Sequence, residues 1–411
     1  MLSDNSVQII KSTVPVLEVH GVTITKRFYE LMFTAHPELL HIFNHANQKQ
    51  GRQQTALANV VYAAALHIDN LAAILPAVKQ IAHKHRSLGV KPEHYPIVGK
   101  HLLMAIKDVL GDAATDEILG AWEEAYGIIA DAFIGVEAEM YNQAEHQPGG
   151  WEDFRAFRVD RKVQESAVIS SFYLVPEDGG AIADFLPGQY VSVKVEVPGD
   201  KYTHIRQYSL SDASGKPYYR ISVKREDGFP DRPEGRVSNY LHGQISEGDT
   251  LYLSAPAGDF ILDQNDARPV VLISGGVGLT PMISMLNTLA ERHSDRKVTF
   301  IHAARNGHVH AMKQHVDELA QKHSNLSAYY CYQAPTEQDR EQKAYHKEGF
   351  IDLPWLKSVI EDPNASYYFC GPVPFMQHIN QSLKEWGIPE KDLHFEFFGP
   401  AASLAPAASA R

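Results

Sequence analysis

The sequence predicts a chain of three parts: an all-α domain, an antiparallel β-barrel and a parallel α/β domain. Apolar residues recur at helical spacing over residues 1–145 and at every second position in short runs over residues 146–262. Over residues 263–411, short β-branched runs lead into helical patterns, which predicts βα units. Because 411 residues exceed what one ordinary core supports, we predict domains at 1–145, 146–262 and 263–411.

Composition and charge exclude several functions. The net charge is −12, whereas surfaces that bind nucleic acid or anionic membranes need a basic face. The two cysteines, Cys331 and Cys370, cannot form a disulfide framework. Residues 1–6 lack the basic and apolar regions of a secretory signal, and no apolar run approaches the ~20 residues that span a bilayer. We therefore expect a soluble cytoplasmic protein with no nucleic-acid partner and no membrane anchor.

The all-α domain is predicted to contain helices at Val22–Phe33, from Gln53 onward and at Asp116–Tyr141, after an N-cap at Ser3. Another helix carries an apolar stripe that ends in His85. A histidine in such a stripe is either a hydrogen-bonded core residue or an axial ligand for a flat, apolar group such as haem. The stripe alone leaves both interpretations open.

Two further polar side chains stand where the helical pattern predicts hydrophobic ones. Gln53 heads the apolar face of its helix, and Glu137 shares a face with Phe133. An unpaired buried carboxylate is costly, so Glu137 needs a nearby donor, and His85 and Tyr95 are the candidates. Taken singly, Gln53 also fits a partly exposed helix start and Glu137 a rim charge. Several such exceptions in one small domain indicate a functional site.

These residues, in this order and spacing, resemble the globin domain of the flavohaemoglobins. The resemblance implies that His85 is the proximal ligand of haem b, with Lys84 beside it in the pocket. It also implies that Tyr95 and Glu137 orient the histidine and make it a stronger electron donor. The distal residues that it implies are Tyr29, Gln53 and Leu57, with Phe43 as the aromatic that wedges the haem. The expected catalytic residues are Tyr29, Gln53, Tyr95 and Glu137.

A polar segment rich in proline and glycine, residues 145–151, is predicted to join two domains. Beyond it, alternating apolar residues predict short strands that are separated by turns such as Asp227-Gly228. The predicted strands are 167–175, 189–197, 205–210, 219–224 and 250–254. Several closely spaced short strands predict a small antiparallel barrel.

One barrel strand contains Arg206-Gln207-Tyr208-Ser209, a motif that is weak by itself. Together with Pro187–Tyr190 before it and Gly235–Leu241 after it, the motif resembles the flavin-binding barrel of the ferredoxin-reductase superfamily. The resemblance assigns Arg206 to the pyrophosphate, which an arginine fork binds through two oxygens, and Tyr208 to the isoalloxazine ring. The FAD residues that it implies here are Tyr190, Arg206, Gln207, Tyr208, Ser209, Gly235, Val237 and Ser238. The chain departs from the family at an insertion, residues 229–234.

Two strand–turn–helix patterns in the last part predict a nucleotide site. Residues 269–274 form a β-branched run that leads into Gly275–Pro281 and then an amphipathic helix. Tyr367–Met376 has the same pattern around Cys370-Gly371-Pro372. Both resemble the pyridine-nucleotide motifs of the same superfamily. The NAD(P) residues that they imply are Gly276, Val277, Gly278, Leu279, Thr280, Pro281, Cys370, Gly371 and Pro372.

The segment Glu396-Phe397-Phe398-Gly399-Pro400 resembles the closing segment of these reductases. There an aromatic residue, here Phe398, covers the flavin, and a carboxylate, here Glu396, lies near the flavin edge that faces the haem. Many relatives have cysteine where this chain has Phe397. All five residues are therefore expected to belong to the FAD site.

The resemblance implies a nitric oxide dioxygenase that passes electrons from NAD(P)H through FAD to haem and converts nitric oxide and O2 to nitrate. Two alternatives remain open: a flavohaem reductase of other acceptors, and a haem gas sensor or oxygen carrier. Arg305 could contact a 2′-phosphate, but an exposed arginine is more often only solvated, so the choice between NADH and NADPH stays open. We expect a monomer.

Overall fold

The computed structural model describes residues 2–229, 233–292 and 295–399. The chain forms two compact units, one made of Met1–Phe154 with Lys194–Arg206 and the other of Arg155–Val193 with Gln207–Arg411. The hairpin of residues 194–206 thus belongs to the first unit, although the sequence places it in the second domain. The three predicted domain boundaries remain a prediction.

The first unit is built mainly from helices, as predicted. Ser3 caps the first helix by accepting a hydrogen bond from Ser6 N at 3.0 Å. This helix extends well beyond the predicted Val22–Phe33, because buried residues continue at helical spacing back to Ile10. The α-helices are α1 (Asp4–Ala35), α2 (His45–Lys49), α3 (Arg52–Leu66), α4 (Leu75–Leu88), α5 (His94–Leu110) and α6 (Asp116–His146), with short 3-10 turns at Pro37–His41, Leu71–Ile74 and Gly111–Ala113.

A close crossing of α1 and α3 positions the start of α3. A Cβ on Gly21 would lie only 3.5 Å from the Cβ of Ala58, so the two helices approach at this point. Four residues on along α1, the Thr25 hydroxyl donates to the Gln54 carbonyl at 2.9 Å. Thr25 is almost fully buried, and its hydrogen bond therefore fixes the first turn of α3 against α1.

The barrel is a six-stranded sheet in the order β4-β3-β6-β1-β2-β5. Strands β1–β2 and β2–β5 pair antiparallel, and an antiparallel bridge between Leu210 and Ile221 joins the two ends of the sheet. The predicted barrel is therefore confirmed. The strands are β1 (Phe154–Gln164), β2 (Ile169–Pro176), β3 (Tyr190–Val195), β4 (His204–Ser209), β5 (Tyr219–Lys224) and β6 (Thr250–Ser254), and helix α7 (Arg236–Gly243) follows β5. Strand β1 was not predicted, because its charged residues obscure the alternation.

The last part is a parallel six-stranded sheet in the order β10-β9-β8-β7-β11-β12. Neighbouring residues of β7 belong to different hydrophobic clusters: Leu272 packs in one cluster and Ile273 in another. This is expected when helices cover both faces of the sheet. Its strands are β7 (Val270–Gly275), β8 (Val298–Ala304), β9 (Leu326–Tyr332), β10 (Lys347–Glu348), β11 (Ser366–Cys370) and β12 (Leu393–Glu396). Its α-helices are α8 (Leu279–Glu291), α9 (Lys313–Lys322), α10 (Glu337–Glu341), α11 (Leu353–Val359) and α12 (Val373–Trp386).

Within the described ranges, no helix combines the length and the hydrophobicity that are needed to cross a membrane.

Candidate functional site

Three helices bring His85, Tyr95 and Glu137 into one cluster. The Nδ1 atom of His85 lies 2.8 Å from Glu137 Oε1 and 3.2 Å from the Tyr95 hydroxyl oxygen. The Tyr95 hydroxyl also donates to Glu137 Oε1 at 2.6 Å. Glu137 is only 3% exposed, so the predicted need for donors beside this carboxylate is confirmed.

The carboxylate determines which nitrogen of His85 is free. Since ionised Glu137 can only accept hydrogen bonds, Nδ1 of His85 carries the proton and Nε2 keeps its lone pair. Burial raises the pKa of Tyr95 far above the usual range of a phenol, and the hydrogen bond to Glu137 and then the negative charge of Glu137 add to the rise. Tyr95 therefore stays protonated and continues to donate to Glu137.

The end of α4 and the loop after it hold this cluster in place. Gly89 ends α4 in the left-handed conformation, with φ of 80°, and Val90 N donates to the His85 carbonyl at 3.0 Å. The Tyr141 hydroxyl, on α6, donates to the Val90 carbonyl at 2.8 Å. In the same way, Tyr126 donates to the backbone carbonyl of Tyr95 at 2.6 Å. Two tyrosines of α6 thus fix the segment between His85 and Tyr95.

Three of the predicted distal residues, Tyr29, Phe43 and Leu57, share one hydrophobic cluster. The Tyr29 ring stacks on Phe33 at 5.6 Å between centroids and meets the Phe43 ring edge-on at 5.8 Å. Leu57 packs against the same cluster. Tyr29 is 6% exposed, and burial raises the pKa of its phenol, while hydrogen bonding by the side chains of Gln48 and Gln53 opposes the rise.

The sequence did not indicate two residues of this unit that contact the predicted ones. Phe133 lies against His85, with 5.8 Å between ring centroids, and helical spacing had marked it only as a core residue. Gln48 lies in the five-residue helix α2, within a polar stretch that has no apolar periodicity. Lys84 directly precedes His85 on α4 and is partly exposed.

The residues of the first unit fit haem. His85 offers a nitrogen lone pair, and its other nitrogen bonds to a carboxylate, which is the usual environment of a metal-bound histidine. Its side chain remains 32% exposed although Ala82, one turn before it, is fully buried. Apolar and aromatic residues around Tyr29 supply the kind of surface that a porphyrin contacts.

In the barrel, the predicted flavin residues lie on β4 and at the start of α7. Gln207 Nε2 donates to Ser192 Oγ at 3.0 Å, and Ser209 is buried. At the start of α7, the Ser238 hydroxyl donates to the Gly235 carbonyl at 3.2 Å and accepts from Glu226 N at 3.1 Å. These bonds fix the turn from which the first N–H groups of α7 project, a suitable arrangement for a phosphate.

The other predicted flavin residues are placed as follows. Arg206 lies on β4, where Nη1 donates to the Ile205 carbonyl at 2.8 Å. Tyr190 begins β3 and Val237 is buried in α7. Phe397 is partly buried and Phe398 is 46% exposed. Pro400 and residues 230–232 of the predicted insertion lie outside the described residues.

The two predicted nucleotide turns lie side by side. Strands β7 and β11 are parallel neighbours with Ser274 opposite Cys370, so their following turns meet at the same end of the sheet. A Cβ on Gly278 would collide with the backbone carbonyl of Cys370, and a Cβ on Gly371 would lie 2.6 Å from a ring carbon of Phe375. The two turns can approach this closely because Gly278 has no side chain, and the Cβ on Gly371 would itself lie 3.3 Å from the Gly275 Cα of the other turn.

The position of this pair of turns in the sheet suits a nucleotide. The chain runs from β7 outward to β8 on one side and returns to β11 on the other, so the strand order reverses at the two turns. In open α/β sheets, ligands bind beyond the carboxyl ends of the strands at such a reversal. Burial, followed by the nearby Glu396, raises the pKa of the Cys370 thiol well above its usual range, so the thiol is neutral.

Comparison with known proteins identifies the same three parts. The matching family models are Globin over residues 26–133, Oxidoreductase FAD-binding domain over 156–261 and Oxidoreductase NAD-binding domain over 272–381. A relative from Bacillus thuringiensis subsp. konkukian, named Flavohemoprotein, is 62% identical over 404 residues, which are 98% of this chain and 100% of the relative.

Two solved structures are similar as well. The crystal structure of flavohemoglobin from Malassezia yamatoensis with bound FAD and heme matches with a TM-score of 0.83 and 30% identity, covering 97% of this chain and 100% of that one. The FAD/NAD-binding domain of nitric oxide dioxygenase from Vibrio cholerae O1 biovar El Tor matches with a TM-score of 0.55 and 40% identity, covering 60% of this chain and 99% of that one. The chain belongs to the flavohemoprotein family of oxidoreductases, and its haem, FAD and nicotinamide cofactors correspond to its globin, FAD-binding and NAD-binding domains.

Proposed function

We propose that this protein is a nitric oxide dioxygenase that converts nitric oxide and O2 to nitrate with electrons from NAD(P)H. The observation that carries the proposal is the buried carboxylate Glu137, which accepts from both His85 and Tyr95. An oxygen carrier does not need a tyrosine and a buried carboxylate that are hydrogen-bonded to each other and to its ligand histidine. The nitric oxide dioxygenase of Vibrio cholerae, to which part of the chain is similar, supports the same reaction.

When bound, the nicotinamide supplies a hydride, the flavin divides it into single electrons, and the haem iron is the one-electron centre. One hydride thus provides two electrons and releases one proton. The conversion of one nitric oxide and one O2 into one nitrate ion consumes one of these electrons.

On the proximal side, Glu137 holds the proton of His85 Nδ1 and so increases electron donation through Nε2. Tyr95 keeps this carboxylate in place by donating to the same oxygen. Electron-rich proximal ligation favours the activation of oxygen over its reversible storage.

On the distal side, Tyr29 supplies a hydrogen-bond donor in a buried pocket. Because burial raises the pKa of the phenol, Tyr29 keeps its proton at neutral pH. Gln53 and Leu57, on α3, line the same side. The phenol thus orients a polar ligand in the pocket, while the surrounding hydrophobic side chains keep water out.

In the reductase part, we assign the flavin to β4, to the start of α7 and to residues 396–400, and the nicotinamide nucleotide to the two glycine turns. Arg206 can bind two phosphate oxygens through its planar fork. Gly278 and Gly371 leave the backbone accessible at the end of the sheet, where a nucleotide phosphate or a nicotinamide ring can approach it closely.

The test is nitric oxide consumption under air by the purified holoprotein with NADH, followed by a nitrate assay. We expect nitrate to form in the wild type and to fall strongly in Tyr29→Phe, with flavin reduction by NADH unchanged. Rapid reduction of other acceptors without nitrate would favour a reductase, and binding without turnover a carrier or sensor. An unchanged rate in Tyr29→Phe would contradict the role of Tyr29.

A further inference from the structure

Buried hydrogen bonds join helix α8 to the loop after strand β4, within the second compact unit. Ser284 and Asn287 lie three residues apart on α8, and both are almost fully buried. The Ser284 hydroxyl donates to the Asp212 carbonyl at 2.8 Å, and Asn287 Nδ2 donates to Asp212 Oδ1 at 2.7 Å. The sequence predicts α8 only as an amphipathic helix, so these buried polar contacts need an explanation of their own.

The carboxylate of Asp212 is fixed from several sides. Its Oδ1 also accepts from Ala213 N at 2.9 Å, and its Oδ2 accepts from the Tyr218 hydroxyl at 3.0 Å. Arg220 Nη1 lies 3.6 Å from Oδ2 and supplies the opposite charge. Since an ionised carboxylate only accepts hydrogen bonds, the nitrogen of the Asn287 amide points to Asp212. A hydrogen bond to a charged acceptor is stronger than one between neutral groups.

The oxygen of the same amide faces a third element. His315, on α9, lies with its Nε2 2.7 Å from Asn287 Oδ1 and donates to that oxygen. Because both ends of the amide are bonded, the side chain of Asn287 cannot turn without losing a hydrogen bond on each side. Asn287 therefore holds α8 between α9 and the loop after β4.

These contacts connect the two proposed cofactor sites of the reductase part. Asp212 lies just after β4, the strand to which we assign the flavin, and α8 begins in a glycine turn that we assign to the nicotinamide nucleotide. Thr280, in that turn, shares one face of α8 with Ser284 and Asn287, since the three are spaced i, i+4 and i+7. The bonds to Asp212 thus lie one and two helical turns beyond the nucleotide turn, and they fix the start of α8 relative to β4.

We propose that Asn287 is a positioning residue for hydride transfer: by bonding Asp212, it holds the nucleotide turn at a fixed distance from the flavin strand. In this transfer the C–H bond at C4 of the nicotinamide breaks and an N–H bond forms at N5 of the flavin. The hydride carries both electrons, so that NADH becomes NAD+ and FAD becomes FADH−. The role rests on the proposed assignment of the flavin to β4 and of the nucleotide to the glycine turns.

The test is rapid-mixing reduction of the FAD-containing holoprotein by NADH, without O2 and nitric oxide. Asn287→Leu keeps the size of the side chain nearly constant and removes both hydrogen bonds of the amide, while Asp212 keeps its other partners. We expect the limiting rate of flavin reduction to fall about 10- to 100-fold, because misplacement of reacting atoms by about 1 Å has effects of this size. The affinity for NAD+, measured by calorimetry, should stay unchanged, because the glycine turn itself is intact.

A second measurement needs no turnover. Hydrogen exchange of the backbone amides in residues 211–213 and in the first turn of α8 should become faster in Asn287→Leu, because the contact that holds them together is lost. Ser284→Ala tests the proposal even if Asn287→Leu does not fold. It removes one neutral hydrogen bond to the same residue and should lower the limiting rate about fivefold.

Gln314→Leu is the matched control. Gln314 is an exposed amide on α9 beside His315, and it donates to Glu318 of its own helix at 2.9 Å. This substitution should leave the limiting rate, the NAD+ affinity and the hydrogen exchange unchanged.

A wild-type limiting rate in Asn287→Leu, or in Ser284→Ala if the leucine variant does not fold, would overturn the proposal. Equal losses of NAD+ affinity and of limiting rate would also overturn it, since they indicate damage to the nucleotide site itself. Nitric oxide takes no part in these measurements. If the wild type reduces its flavin with NADH but forms no nitrate, the proposed function fails and the role of Asn287 stands.

Discussion

Replacing Glu137 by glutamine keeps the shape of the proximal cluster and removes its charge. Glu137 Oε1 accepts at 2.8 Å from His85 and at 2.6 Å from Tyr95, and the residue is almost fully buried. A hydrogen bond to a charged group is worth roughly 1.5–3 kcal/mol and a neutral one roughly 0.5–1.5 kcal/mol. The substitution should therefore weaken the bond to His85 by about 1.4 kcal/mol, which is a factor of about ten.

For a one-electron centre, a factor of ten corresponds to about 59 mV. Because a less electron-donating His85 stabilises ferric iron less, we expect the haem potential to rise by about this amount in Glu137→Gln. Nitric oxide turnover should fall about 10- to 100-fold, as is typical when a partner of a metal-bound histidine is removed. The assays are a spectroscopic redox titration, the iron–histidine stretching frequency, which should decrease, and nitrate formation.

Glu139→Gln is the matched control. Glu139 lies two residues further along α6 and is exposed, and Gln143 Nε2 donates to its carboxylate at 3.2 Å. The Glu139→Gln substitution should leave the haem potential unchanged. Equal potentials in the wild type and in Glu137→Gln would refute the claim that this carboxylate tunes the histidine.

Three further predictions concern the reductase part. Gly278→Ala should reduce NADH binding or the stability of the nucleotide domain, because the new Cβ would collide with the Cys370 carbonyl; calorimetry and nucleotide titration check both. Asp212→Ala should destabilise the chain by about 3 kcal/mol in denaturant unfolding, because it leaves buried Arg220 without its carboxylate at 3.6 Å. Burial lowers the pKa of His302 to about 3 in the folded protein, whereas the same imidazole in the unfolded chain has the usual pKa near 6.5. The unfolded chain therefore binds this proton more tightly than the folded protein does. The free energy of unfolding is therefore unaffected by His302 above about pH 6.5 and decreases on acidification towards pH 3. At pH 5 the loss should be about 2 kcal/mol.

Each of these predictions has a control in the same unit. Gly243→Ala introduces a Cβ with nothing within 4 Å and should leave nucleotide binding unchanged. Asp227→Ala breaks an exposed pair with Arg225 and should cost less than about 1 kcal/mol. His302→Gln should reduce the dependence of stability on pH, whereas substitution of the exposed His308 should not. The corresponding explanation fails if a control and its test variant behave alike.

The sequence predicts the proximal cluster because two simple rules meet there. Helical spacing places His85 and Glu137 on apolar faces, and the cost of a buried charge requires that Glu137 has donors. The two glycine turns are predictable as strand–turn–helix patterns, whereas their assignment to a nicotinamide nucleotide comes from the resemblance to the ferredoxin-reductase superfamily.

Other features depend on packing that no local pattern encodes. Strand β1 has charged residues such as Arg158 and Asp160 at exposed positions, so its alternation is hidden and the strand was missed. Gln48 lies in a short polar helix, and its hydrogen bond from Gln54 is visible only in the folded structure. The first and last helices of the globin part run beyond their predicted ends, because tertiary contacts extend them to Asp4 and His146.

The most direct test of the proposed function is to supply the holoprotein with NADH, nitric oxide and O2 labelled with oxygen-18, and to measure the mass of the nitrate formed. A dioxygenase transfers both atoms of O2 to one molecule of nitric oxide. We therefore predict that each nitrate ion carries two labelled oxygen atoms and that one NADH is consumed for every two nitrate ions. Nitrate with one labelled atom or none, or NADH oxidation without nitrate, would contradict the account.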